Sequence, residues 1–188
     1  MVDTLCEQAL QKGAAVACFY FGFAAQRNQS PAAILGSVLK QIVGGLDEVP
    51  ERIVKAFRDR GKVAGSQKLA LSEVVELLKE ISSVRYTFLC IDALDECPPG
   101  HRVKLLGSLN QILRGSPRTR MFLTGRPHIR TEVENYLAGR LTTRSITPTK
   151  DDIIIFLRAK LKEDAMPEAM DESLEEEILR DIPDVSDR

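Results

Sequence analysis

A mostly parallel α/β sheet covered by helices on both faces is the fold that this sequence predicts, and three observations lead to it. Short apolar runs rich in aromatic and β-branched residues recur at VACFYFGF (16–23), YTFLCID (86–92) and RMFLTG (120–125). Segments with helical spacing separate them, and strands that alternate with helices imply parallel pairing. The runs are apolar throughout rather than alternating, as expected of strands buried on both faces.

The elements follow in order. Val16 to Phe23 is the first strand, bounded by Gly13 and by the polar AAQRNQSP. Ser30 and Pro31 supply an N-cap and a first helical residue for AAILGSVLKQIV, which stops at Gly44-Gly45. A second helix runs from Val49 to Arg60 and closes at Gly61, and KVAGSQK is a polar loop. Ser72-Glu73 opens SEVVELLKEIS, whose Val74, Leu77, Leu78 and Ile81 share one face. Tyr86 to Asp92 is the second strand, and an amphipathic helix follows from Gly100. Arg120 to Gly125 is the third strand, then a Pro127-initiated helix to about Leu137. Leu141 to Thr147 is a fourth, weaker strand. Lys150 to Lys162 is a helix with Ile154, Phe156, Leu157 and Leu161 as its core contacts. Past Glu163 the chain turns acidic, with a short helix near Leu174 to Leu179.

Bulk properties narrow the function. The chain has 188 residues, 44% of them hydrophobic, with 26 Lys plus Arg against 27 Asp plus Glu. That length suits one sizeable core. The near-neutral balance argues against a nucleic-acid binder working by general electrostatics. No apolar run approaches the roughly 20 residues that span a bilayer, and the first residues do not read as a secretory signal. Four scattered cysteines and two histidines offer no clustered zinc ligands. Cys18 and Cys90 read as core, and His101 and His128 as solvated or capping residues at helix starts. A cytoplasmic protein fits.

The informative stretch is FLCIDALDECPPG (88–100). A buried strand runs into Asp92, then Ala93, Leu94, Asp95 and Glu96. Each carboxylate alone reads as a solvated turn residue, and Arg126 alone reads equally as a surface residue or a helix–loop salt bridge. As a set they ask for more, because a carboxylate at the end of a buried strand needs a partner, and a cation is a sufficient one. In open parallel sheets ligands bind beyond the carboxyl ends of the strands, where Asp92, Asp95, Glu96, Thr124 and Arg126 all fall.

Asp, a small residue, an apolar residue and then Asp-Glu resembles the Walker B element of the NACHT family of P-loop NTPases, in the STAND class of signalling proteins. FLTGRP (122–127) resembles the sensor 1 segment of that family, and residues 16–43 resemble the second strand and following helix of its large fungal receptor-like members. The resemblance implies that Asp92 holds Mg2+, usually through water, and that Asp95 and Glu96 orient or deprotonate the attacking water. It implies further that Thr124 and Arg126 meet the nucleotide, with Arg126 at the terminal phosphate. The cofactors would be Mg2+ with ATP or GTP, and the partners other protein domains or copies of the chain, with no nucleic acid and no membrane.

One departure is severe. The phosphate-cradling GxxxxGK[ST] is absent, and the Gly61-Lys62 pair lacks its context. Residues 1–12 resemble the back half of the helix that follows that loop. The resemblance therefore implies a three-layer P-loop NTPase-like fold without its central strand. Residues 1–162 would form a partial nucleotide-binding domain and 163–188 an acidic helical extension. The strand order would be 16–23, 86–92, 120–125, a vacancy, then 141–147. Two function classes stand side by side: a piece of a nucleotide switch not competent for hydrolysis alone, and a non-catalytic interaction module that keeps the fold. A receiver-like phosphoacceptor with Asp92 as acceptor fits less well, because Gly22-Phe23-Ala24 stands where its acidic pair should be.

Overall fold

The structure, a computed structural model, describes residues 13–22, 29–61, 69–163 and 171–185. The expected helix in residues 1–12, the end of the first strand at Phe23 and the loop KVAGSQK lie outside those residues. The chain divides into two compact units, Met1–Leu141 and Thr142–Arg188.

The first unit is a mixed α/β fold around a parallel sheet. Strand β1 (Ala15–Tyr20) leads to helices α1 (Pro31–Gly44), α2 (Glu51–Gly61) and α3 (Leu71–Val84). Strand β2 (Thr87–Asp92) is followed by a 3-10 turn at Leu94–Glu96 and helix α4 (Pro99–Gly115). Strand β3 (Thr119–Leu123), a 3-10 turn at Pro127–Ile129 and helix α5 (Arg130–Leu137) complete the unit. The sheet order is β1-β2-β3, both pairs parallel, with Cys18 beside Cys90 and Cys90 beside Phe122. This is the order expected for these three strands.

Helix boundaries follow local chemistry. Ser30 Oγ accepts the Ala33 amide at 3.3 Å and Pro31 stands in the first turn, so α1 starts where its sequence says. Helix α3 starts at Leu71 rather than at Ser72. Glu73 is its third residue and accepts the Ala70 amide at 2.8 Å, which satisfies one N-terminal donor that Ala70 cannot cap itself.

One face of the sheet carries the core. Ala15, Ala17, Leu89 and Ile91 are buried there with Ile34, Leu35, Val38 and Leu39 of α1, Leu77 and Leu78 of α3, and Leu105, Leu106 and Leu109 of α4. On the other face Val16, Cys18 and Phe88 are only partly buried, and Tyr20, Arg120 and Phe122 are exposed. Among the described residues of this unit, α1, α3 and α4 also pack against one another, and on the other face of the sheet Cys90 is buried as well.

Residues 141–147 correct the reading of a fourth strand: they carry no strand and every one is exposed, Ile146 by 87%. β-branched residues supply propensity, but an extended segment becomes a strand only through ladder partners and a surface to pack on.

In the second unit, α6 (Lys150–Lys162) packs on α7 (Glu172–Val185), which is longer than the 174–179 expected. Thr149 and Asp152 form a capping box at the start of α6, and Lys150 pairs with Asp184. Of the core contacts expected on α6, none is buried: Ile154, Leu157 and Leu161 are half-covered and Phe156 is 59% exposed. Two helices alone cannot enclose an apolar stripe.

Candidate functional site at the ends of β2 and β3

The site begins where β2 must stop. Phe88 to Ile91 are held in the sheet, and Asp92, the last residue of β2, is exposed. Ala93 then takes a left-handed backbone, φ 53° and ψ 46°, the only non-glycine positive φ among the described residues. That conformation turns the chain sharply into the Leu94–Glu96 turn and drops Leu94, fully buried, into the core. Branched and bulky side chains bear this backbone at a high cost, which gives the small residue after Asp92 a conformational reason.

Thr124 ties the two strand ends together. Its amide donates to Ile91 O at 3.0 Å and its carbonyl accepts Leu94 N at 2.9 Å. Its hydroxyl accepts the Ala93 amide at 2.9 Å and donates to Asp92 Oδ1 at 2.5 Å. The Asp92 carbonyl in turn accepts the Phe21 amide at 3.2 Å, just past the end of β1. One threonine therefore sets the geometry of the carboxylate that precedes it by 32 residues.

Asp95 is handled differently. Its side chain is 8% exposed, and its Oδ1 accepts the Arg126 amide at 3.2 Å while Oδ2 lies 3.5 Å from Arg126 Nε. The Arg126 side chain is 77% exposed, so the pair sits at the surface with its carboxylate inward. Beneath it Gly125 permits a close approach: a Cβ there would stand 2.7 Å from Ile129 Cδ1. Glu96 is half-buried in the same turn, and its amide donates to Ala93 O at 2.9 Å.

Two residues that the sequence reading did not single out hold this turn in place. Arg102 of α4 is buried and donates to Cys97 O at 2.9 Å, to Asp95 O at 3.3 Å and to Glu132 of α5 at 2.7 Å. A signal existed: Arg102 lies in the first turn of a helix, where the macrodipole disfavours a cation, so a specific anion had to be near. Cys97 beside it is 1% exposed, and burial, offset in part by Arg102, raises its thiol to about 11. It stays protonated at neutral pH and is not a nucleophile.

The structure thus brings all five residues to one end of the sheet but divides them. Asp92 with Thr124 forms one group and Asp95 with Arg126 another. Among the described residues no three His, Cys, Asp or Glu side chains converge on a point that could hold a metal ion. A cation here would therefore rest on one carboxylate with water or phosphate oxygens completing its shell, a mode that suits Mg2+ and not zinc. No helix among the described residues is long and apolar enough to cross a membrane.

Comparison with known proteins gives one family. The family model described as Nephrocystin 3, N-terminal, matches residues 1–126, about two thirds of the chain, and takes in β1 to β3, the acidic turn, Thr124 and Arg126. The chain belongs to that family. It is a different family from the NACHT domain that the motifs resemble. No curated protein and no solved structure matches the chain.

Proposed function

We propose that this chain works as a NACHT-type nucleotide-switch module whose Walker B-like and sensor-like groups are Asp92, Asp95, Glu96, Thr124 and Arg126, and that it does not hydrolyse nucleotide by itself. The observation that carries the reading is the bonding of Asp92 to Thr124 across the ends of two adjacent parallel strands, with Arg126 two residues further on. A strand-end carboxylate and a neighbouring cation are the parts that a magnesium–phosphate ligand requires.

In this reading the exposed Asp92 carboxylate, oriented by the Thr124 hydroxyl, would hold Mg2+. The ion supplies charge neutralisation at the phosphate oxygens when it is bound. Asp95 or Glu96 orients the attacking water, and Arg126 reaches the terminal phosphate after leaving Asp95. The four scattered cysteines, with no CxxC pair among them, support a reducing, cytoplasmic setting.

The absent GxxxxGK[ST] supports a second reading, in which the fold is kept as a non-catalytic module that binds other domains or copies of itself. Calorimetric titration separates the two. MgATP and MgGTP should bind the chain weakly or not at all. After a strand and phosphate loop are joined ahead of Met1, they should bind in a manner that Asp92→Asn impairs. Micromolar binding by the chain alone would refute the claim that the loop is needed. No binding in either form would leave the interaction module as the better account.

A further inference from the structure

Two cysteines 72 residues apart in the sequence, Cys18 and Cys90, are register partners in the parallel ladder of β1 and β2. The Ala15 amide donates to Tyr86 O at 2.8 Å and the Phe21 amide to Asp92 O at 3.2 Å, so the odd-numbered residues of β1 turn their backbone groups to β2. Cys18 turns its own outward, and Gln41 of α1 holds both of them. Gln41 Oε1 accepts the Cys18 amide at 2.9 Å and Gln41 Nε2 donates to Cys18 O at 2.8 Å, which fixes Cys18 from the side away from Cys90. Side chains alternate along a strand, and Ala17 and Leu89 lie in the core. Both thiols therefore stand on the opposite face, on strands about 4.8 Å apart. Cys18 is half-buried and Cys90 is 6% exposed.

We propose that Cys18 and Cys90 are a site of reversible oxidation, at which hydrogen peroxide converts Cys18 to its sulfenic acid and Cys90 resolves it to a cross-strand disulfide. The roles follow from exposure. Peroxide meets the half-buried sulfur first: the Cys18 thiolate attacks a peroxide oxygen, the O–O bond breaks and one water leaves. The Cys90 sulfur then attacks the sulfenyl sulfur, the S–O bond breaks and a second water leaves. Two thiols and one peroxide give one disulfide and two waters. The second step needs no access for the oxidant, which suits a buried partner. Spacing sets how the bond behaves. Disulfides join Cα atoms about 4.4–6.8 Å apart, which the ladder meets. Their Cβ atoms lie about 3.5–4.5 Å apart, a range that parallel side chains on neighbouring strands exceed by roughly a few tenths of an ångström. Such a bond is strained and readily reduced, a reversible link and not a permanent staple. That reversibility suits a reducing setting.

The test uses the whole chain, reduced, desalted and then treated with hydrogen peroxide at neutral pH. Its intact mass should fall by about 2 Da as two hydrogens are lost, and peptide mapping should place the new bond between Cys18 and Cys90. Millimolar glutathione should restore both thiols. Cys90→Ser should stop the reaction at a Cys18 sulfenic acid that dimedone labels, and Cys18→Ser should remove both the label and the bond. Cys6→Ser and Cys97→Ser should leave the bond in place. The mapping on the unaltered chain decides the matter even if a variant fails to fold. The proposal is overturned if that chain, folded by circular dichroism, keeps its thiols in excess peroxide. It is also overturned if the bond maps to Cys6 or Cys97, joins two chains, or resists glutathione.

Discussion

The acidic turn has an outer half and an inner half, and the two spend the same residue type differently. Asp92 and Ala93 stand at the open end of β2, one exposed, the other held in a left-handed backbone. Asp95 and Cys97 lie against Arg102, Glu132 and the segment after β3. A carboxylate committed to a backbone amide and an arginine holds structure together, whereas an exposed carboxylate with one hydroxyl partner is available to a ligand. Two residues, Ala93 and Leu94, separate a candidate binding group from a fastening.

The contrast is broken most forcefully from the inner side. Arg102→Ala should destabilise the first unit by about 3 kcal/mol, because it leaves the Glu132 carboxylate and the Asp95 and Cys97 carbonyls without their shared donor. Chemical denaturation with two-state analysis would measure it. A loss below about 1 kcal/mol would mean that the turn is not fastened through Arg102.

High pH should loosen the same half without any mutation. The folded thiol of Cys97 is raised from the usual 9.0 to about 11, so its contribution is fully present below pH 9 and is lost as pH rises through about 11. Denaturation midpoints between pH 8.5 and 11 should fall in the native chain and fall less in Cys97→Ala. Equal slopes would show that Cys97 ionises freely in the folded state.

The outer half should respond with the opposite sign. Ala93→Gly relieves a left-handed backbone and should stabilise the fold by about 0.5 to 1 kcal/mol, after the greater freedom of glycine in the unfolded chain is subtracted. Ala93→Val should destabilise it. A loss of stability on Ala93→Gly, measured in the same denaturation series, would show that the methyl group contributes packing that outweighs the backbone strain.

This division also marks how far the sequence could be read. Apolar runs, helix spacing, Ser30-Pro31 and Gly44-Gly45 are local signals, and the three strands, their order and helix α1 follow from them. The convergence of Asp92, Thr124, Asp95 and Arg126 was legible too, because parallel strands place their carboxyl ends together. What failed depended on partners that local composition does not contain. Among the described residues Leu141 to Thr147 has strand-forming residues but no ladder partner, and within its own unit the apolar stripe of α6 meets only α7. The role of Arg102 was not legible because its carboxylate partner, Glu132, lies 30 residues away in the sequence.

The smallest expected change in stability is the most informative. Asp92→Asn keeps an oxygen to accept the Thr124 hydroxyl, removes a charge from an exposed position and so should move stability by less than about 0.5 kcal/mol. Asp95→Asn keeps the bond from the Arg126 amide but loses the ion pair from a nearly buried carboxylate, and should cost about 1 kcal/mol. Function should invert that ranking. In a form that binds nucleotide, Asp92→Asn should impair Mg2+-dependent retention, while Asp95→Asn should leave binding largely intact and slow any hydrolysis. Denaturation curves and nucleotide titrations on the same two variants decide the matter. If Asp92→Asn destabilises as much as Asp95→Asn and leaves retention untouched, both carboxylates are fastenings, and the outer half of the turn has no ligand to serve.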